Sequence, residues 1–332
     1  MISYKSKKIF TTGVGVILIF VLGVSAGIVF VKKTPASSCQ TSFTFLNPKL
    51  DCAEKYPIEK HEYGEFRNSL NLYIQSQREA GKITAVSVYF RDLYNGPTFG
   101  IEERTSFSPA SLLKIPLVLT YFRLAEDEPE ILQKELVYKR QGKTIEDMGQ
   151  FYIPKETVEE NKPYRIDDLL KRLIVFSDNN AYDVLFTYLT QTKGSDIVLE
   201  TYRELGLIYP EHTLENTLTV KSYASMFRLL YQASYLSPQS SEKALSILTE
   251  SDFKAGIVAG VPKDIKVAHK FGERVDLSSD LRQLHDCGIV YFPDNPYLLC
   301  IMTRGKDFQQ LASVIGAISQ MIYEEVDSRK IK

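Results

Sequence analysis

Three short stretches of this 332-residue chain hold side chains that could do chemistry. The first is Phe107-Ser108-Pro109-Ala110-Ser111-Leu112-Leu113-Lys114-Ile115-Pro116. Ser111 and Lys114 stand three apart, on one face where a helix starts. A serine hydroxyl is a weak nucleophile without a base beside it. A lysine can be that base only where burial or neighbouring positive charge lowers its pKa. A helix N-terminus adds partial positive charge and free backbone N–H groups suited to an oxyanion. The second stretch, Ser177-Asp178-Asn179-Asn180-Ala181, falls between two helical segments, and the third, Val267-Ala268-His269-Lys270-Phe271-Gly272-Glu273, falls on a late strand. Each has a plain structural explanation: an N-cap with a solvated lysine, a second N-cap, and an edge-strand charge beside a glycine bulge. None of these explains why the three occur together, in that order, on helix, loop and strand.

The elements that must position these residues follow from hydrophobic spacing. Residues 65–78 read as a helix. Residues 85–93 alternate, with Val86, Val88 and Phe90 on one face and Ser87, Tyr89 and Arg91 on the other, and Asn95-Gly96 supplies a two-residue turn into Thr98-Phe99. A long helical middle follows. Within it Ile166, Leu169, Leu170, Leu173 and Ile174 form one buried helix face. Strands return at 266–271, 288–292 and 297–303, and a last amphipathic helix runs through Phe308, Leu311, Ile315, Ile318 and Ile322. Strands from both chain ends must share one sheet, or each set leaves an apolar face and an edge open. The expected fold is α+β: an antiparallel sheet formed by both chain ends, flanked by helices, with an inserted helical lobe.

Composition is that of a globular protein, with 44% hydrophobic and 24% charged residues. The formal charge of −1 is unevenly spread. Residues 1–33 carry five lysines and no acid, which leaves 35 basic against 41 acidic side chains in the other 299 residues. An acidic domain is a poor partner for phosphate backbones, so nucleic acid is not expected as a ligand. Residues 9–31 are uncharged and mostly apolar, enough for about 34 Å of helix. Lysines on both sides point to a cytoplasmic N-terminus and an exported domain. The expected organisation is a membrane anchor over 1–33, a polar tether over 34–64 and a catalytic domain over 65–328. A cleaved signal peptide is the rival, since Val24-Ser25-Ala26 has the small residues of a cleavage site. Cys39 and Cys52 could close a small loop. Cys287 and Cys300 flank Pro293-Asp294-Asn295-Pro296 and are either bonded across a hairpin or two buried thiols. The four histidines, His61, His212, His269 and His285, show no metal-ligand spacing, so neither a metal nor another cofactor is implied.

The succession S-x-x-K, S-D-N, K-x-G resembles that of the penicillin-recognising serine enzymes, and the chain looks like the class A β-lactamase-like serine hydrolases over roughly residues 65–328. The likeness extends to Ser177-Asp178-Asn179-Asn180-Ala181 with Leu185 and to His285-Asp286-Cys287-Gly288-Ile289-Val290. The resemblance implies that Ser111 is acylated, Lys114 activates it, and Ser177 relays a proton to the leaving nitrogen. It implies further that Asn179 holds the substrate and the lysine, that Lys270 faces the substrate carboxylate, and that Gly272 and Glu273 join it in binding substrate. The oxyanion hole would be the backbone N–H groups of Ser111 and Glu273.

Two positions depart from the family pattern. Phe271 stands where the family has threonine or serine, and it cannot donate a hydroxyl hydrogen bond to a substrate carboxylate. The loop after Leu205-Gly206-Leu207 lacks the Glu-x-x-x-Asn that activates the deacylating water, since neither Glu211 nor Glu215 has an asparagine four residues on. The expected activity is therefore an exported serine hydrolase that opens β-lactam amide bonds through an acyl-enzyme, slow in deacylation. The alternatives are a D-alanyl-D-alanine peptidase acting on peptidoglycan stem peptides and a non-turnover penicillin-binding or sensor domain.

Overall fold

The computed structural model describes residues 43–48, 50, 63–93, 96, 98–139, 150–207, 217–276 and 279–329. The chain divides into two compact units, and almost all described residues lie in the one formed by 43–47 and 56–332. Residues 9–31, and with them the expected anchor, lie outside the described residues, as do Cys39, Cys52, Glu211 and Glu215. Among the described residues no helix is long and apolar enough to cross a membrane.

Helix α1 (Gly64–Glu79) leads into the hairpin β1 (Ala85–Asp92) and β2 (Thr98–Ile101). The inserted lobe then runs through α2 (Lys114–Asp127), the short strands β3 (Glu135–Val137) and β4 (Pro163–Arg165), α3 (Ile166–Val175), α4 (Asn179–Lys193), α5 (Ile197–Glu204), α6 (Val220–Tyr231) and α7 (Pro238–Thr249). Three antiparallel strands follow, β5 (Val267–Asp276), β6 (Leu281–Val290) and β7 (Tyr297–Gly305), before α8 (Phe308–Ser328) closes the chain. The sheet order is β2-β1-β7-β6-β5, so N-terminal and C-terminal strands share one five-stranded sheet, as the apolar patterning requires. The fold is α+β.

On one face of the sheet, Val86, Val88, Phe90, Leu299 and Ile301 meet Leu70 and Ile74 of α1 and Leu311, Ile315 and Ile318 of α8. Helix α6 packs on β1, β6 and β7 from the other face, outside that cluster. In the lobe, all five residues of the α3 stripe are buried. Each such side chain contributes about 2 kcal/mol of burial, an upper figure because the unfolded chain also buries apolar surface. The stripe packs α3 against α4, and the turn between those two helices is Ser177-Asp178.

Strands β5 and β6 are longer than their apolar runs. β5 continues five residues past Phe271, and β6 begins seven residues before Gly288. The added residues include Glu273, Arg274, Gln283, His285 and Asp286, which look like loop residues in sequence but hydrogen-bond within the fold. Cys287 and Cys300 stand directly opposite in the β6–β7 register and are joined by a disulfide, which settles the two alternatives.

Candidate active site

Ser111 lies in a single 3-10 turn, Ala110–Leu113, that runs straight into α2. Lys114 opens that helix, so serine and lysine lie one turn apart. Pro116 falls in the first helical turn, where its missing N–H leaves no bond unmade. Ser108 enters this turn with every polar group held by the sheet. Its N–H donates to Gln283 Oε1 (3.0 Å), its carbonyl accepts from His285 Nε2 (2.8 Å), and its hydroxyl accepts from Arg274 (2.9 Å). His285 also accepts the Thr303 N–H at Nδ1 (3.3 Å), so the imidazole is the neutral Nε2–H tautomer, and burial pulls its pKa down to about 4. From the lobe side, the Tyr223 hydroxyl donates to the Leu112 carbonyl (2.9 Å) and the Tyr202 hydroxyl to that of Leu113 (3.3 Å). Between these grips the backbone is strained: Ala110 has φ +49°. Gly272 of β5 lets the strand approach, because a Cβ there would stand 3.0 Å from the Pro109 carbonyl oxygen and 3.1 Å from the Leu112 nitrogen.

Two buried lysines converge on one hydroxyl. Lys114 Nζ donates to the carbonyl of Ser177, to its Oγ (3.2 Å) and to Asn179 Oδ1 (2.6 Å). Lys270 Nζ, 2.9 Å from the same Oγ, also donates to the Phe271 carbonyl (2.8 Å) and stands 4.3 Å from the Phe271 ring centroid. Ser177 has φ +56°, a left-handed conformation seldom taken by a side-chain-bearing residue, and both its carbonyl and its hydroxyl meet Lys114. Burial lowers the Lys114 pKa to about 7 against the upward pull of Asp178, Asp183 and Glu273. Burial, reinforced by the charge of Lys114, also pushes Lys270 well below the ordinary lysine value. Two ammonium groups on one oxygen repel, so the site holds one positive charge more readily than two. With both lysines donating to it, Ser177 Oγ keeps its own hydrogen free to give away.

Asp178 caps α4 by accepting from the Asn180 N–H (2.9 Å), and it also accepts from the Thr157 hydroxyl (2.9 Å) and the Val158 N–H (2.7 Å). Asn180 returns a bond to the Val158 carbonyl (3.0 Å). The segment before β4 is thus tied to the Ser177 turn at one end. At the other it is tied to β5, where the Glu273 carboxylate accepts the Tyr152 N–H (3.0 Å). Phe271 packs with Phe253 (ring centroids 4.2 Å) and Tyr152 (5.8 Å).

A beta-lactamase enzyme family model matches residues 67–326, most of the chain. The chain belongs to the beta-lactamase enzyme family. Solved structures share its fold. A β-lactamase from Chitinophaga pinensis is 20% identical, with 79% of this chain and 100% of that one covered at a TM-score of 0.66. A class A β-lactamase from Bacteroides cellulosilyticus is 18% identical over 79% and 98% of the two chains, at 0.64. A mutant of PBP-A, described as an acyl-enzyme complex with penicillin G, is 21% identical over 79% and 97%, at 0.61. No curated protein matches.

In this β-lactamase-like serine hydrolase, Lys114, Ser177, Asn179 and Lys270 form one hydrogen-bonded cluster, and Gly272 seats the Ser111 turn beside it. Glu273 stands at the rim. Ser108, Arg274, Gln283, Tyr202 and Tyr223 are the positioning residues that motif spacing did not reveal. His285 stands in the family-like run His285-Asp286-Cys287, and its bond to the Ser108 carbonyl emerges only in the fold. His269 lies next to Lys270 in sequence but turns away, to the buried Asp286 carboxylate (2.8 Å), which also accepts the Ile257 N–H (2.8 Å). Among the described residues no group of three metal-ligating side chains assembles.

Proposed function

We propose that the protein performs acyl transfer through Ser111, opening the amide bond of β-lactams by way of an acyl-enzyme. The observation that carries this is the pair of buried lysines meeting on Ser177 Oγ one helical turn from Ser111. A neutral Lys114 takes the Ser111 proton as Oγ attacks the carbonyl carbon. The N–H groups of Ser111 and Glu273 hold the oxyanion. As the C–N bond breaks, Ser177 gives its proton to the leaving nitrogen and is reprotonated from a lysine ammonium. Asn179 keeps Lys114 aimed, and Lys270 meets the substrate carboxylate. Binding of penicillin G by PBP-A accords with this chemistry.

Deacylation needs a positioned water and a second base, a contribution of about 10²–10⁴ in rate. Without Glu-x-x-x-Asn in the 208–216 stretch, we expect one rapid equivalent of product followed by slow turnover. That sequence feature favours, as the second reading, a protein that traps penicillin without releasing it. A D-alanyl-D-alanine peptidase would use the same residues on a peptide. Mass spectrometry of the full-length protein over time after adding penicillin is the test. One acyl adduct should form and persist, and Ser111→Ala should abolish it. Labelling of the alanine variant as fast as wild type would remove Ser111 as nucleophile, and rapid hydrolysis without a burst would point to Glu211 or Glu215 as a deacylation base.

The apolar 9–31 stretch supports a single-pass anchor with the catalytic domain outside the cytoplasm. Membrane fractionation with external protease tests this, and recovery of a soluble chain starting at Gly27 would show a cleaved leader instead.

A further inference from the structure

Strand β5 departs from the family pattern at Phe271 and carries a carboxylate two residues on, at Glu273. A strand presents residues i and i+2 on one side, and both meet Tyr152: Phe271 through its ring (5.8 Å between centroids) and Glu273 by accepting the Tyr152 N–H (3.0 Å). Among the described residues no lysine or arginine forms an ion pair with Glu273, whose hydrogen bonds come from neutral backbone N–H groups. Those donors orient the carboxylate but do not neutralise it. Lys270 and Lys114 act on it only from beyond contact.

The cluster fixes which part of a substrate reaches Glu273. Lys270 Nζ bonds Ser177 Oγ, so the Lys270 end of β5 lies on the leaving-group side. A strand advances about 3.3 Å per residue, which puts Glu273 about 10 Å further along. On the acyl-transfer reading its N–H holds the oxyanion, so the substrate beyond the carbonyl passes its side chain. A half-buried carboxylate beside aromatic rings is the chemistry that recognises an ammonium group.

We propose that the Glu273 side chain is a specificity determinant, selecting amide substrates that carry a free ammonium group on the acyl side of the scissile bond. This rests on the acyl-transfer reading above. The test compares acylation rates of the full-length protein with benzylpenicillin, with ampicillin, which adds one α-ammonium group, and with N-acetylated ampicillin, which keeps the substituent without its charge. Ampicillin should acylate about tenfold faster than the other two, the lower range for a hydrogen bond to a charged group. Glu273→Gln keeps an oxygen acceptor for the Tyr152 N–H and should bring the three rates together. Equal rates in wild type, or a preference that survives in Glu273→Gln, overturn the proposal while leaving acyl transfer standing. Failure of all three compounds to label Ser111 overturns the acyl-transfer reading instead. The wild-type comparison decides even if the variant does not fold.

Discussion

The two walls of the site are built differently. On the lobe wall, Lys114, Ser177 and Asn179 bond largely to one another's side chains, and Asp178 locks their turn to the Thr157 hydroxyl and the Val158 N–H. On the sheet wall, Gln283, His285 and Arg274 grip Ser108, while Gly272 contributes by having no side chain at all. A wall of mutually bonded side chains admits few substitutions, because each member leaves a buried partner unsatisfied when removed. A wall that works through grips behind the strand leaves its forward positions, Phe271 and Glu273, open to change. Of the two departures from the family pattern, the one at Phe271 falls on that second wall. On the acyl-transfer reading, proton transfer thereby falls mainly to the lobe wall, and the sheet wall supplies recognition together with the Glu273 N–H of the oxyanion hole.

The largest effect should come from the lobe wall. Lys114→Ala should slow acylation by about 10²–10⁴, the contribution of a general base. With its pKa lowered to about 7, wild-type Lys114 gains its neutral, proton-accepting form as pH rises through that value. The acylation rate should climb over the same range, and the limb should vanish in Lys114→Ala. A limb that persists in the variant would transfer the base role to Lys270 and break the division between the walls.

Acid should strike the sheet wall. Burial holds His285 near a pKa of about 4, below the ordinary histidine value. Below about pH 6.5 the unfolded chain takes up a proton that the folded imidazole refuses, so stability falls as pH drops towards 4, by about 3 kcal/mol in all. Above pH 6.5 the group contributes no pH dependence. Urea unfolding at pH 7 and pH 4.5 should show this loss, and His285→Gln should flatten it. An unchanged acid limb in the variant would place its source elsewhere.

What sequence showed and hid follows the same division. The α3 stripe, the β1 alternation and the three motifs are local patterns of fixed spacing, so they could be read directly. The start of β6 was hidden because Arg282-Gln283-Leu284-His285-Asp286 lacks the alternation of a half-buried strand. Gln283, His285 and Asp286 are buried only because partners such as Ser108 and Ile257 await them. Tyr202, Tyr223, Arg274 and Gln283 were likewise invisible as site residues. They act on backbone or hydroxyl groups 89 to 175 residues away, and no local spacing encodes that. The Phe271 departure was legible, but its consequence needed Phe253 and Tyr152 beside it.

Phe271→Thr sharpens the contrast on the recognition side. Restoring a hydroxyl beside Lys270 should strengthen binding of carboxylate-bearing β-lactams by about tenfold, a charged hydrogen bond's lower range. Saturation kinetics of acylation should place this in the half-saturation concentration and leave the limiting rate nearly unchanged. Thermal melting measures separately the packing lost against Phe253. A fall in the limiting rate instead would mean that Phe271 positions Lys270 for chemistry, through the ring that lies 4.3 Å from its ammonium.

The smallest effect probes the point where both walls hold one turn. Ser108 is gripped at three points from the sheet, whereas Leu112, next to the nucleophile, is held from the lobe by the Tyr223 hydroxyl. Tyr223→Phe keeps the ring packed and removes one hydrogen bond, leaving a buried carbonyl short of a donor at a cost of about 1 kcal/mol. If the sheet grips set the height of Ser111, acylation should change by no more than a few-fold and the melting temperature by a few degrees. A loss comparable to that of Lys114→Ala, with stability nearly intact, would show that the strained Ala110–Ser111 step is held from the lobe side. The sheet wall would then be a recognition surface alone.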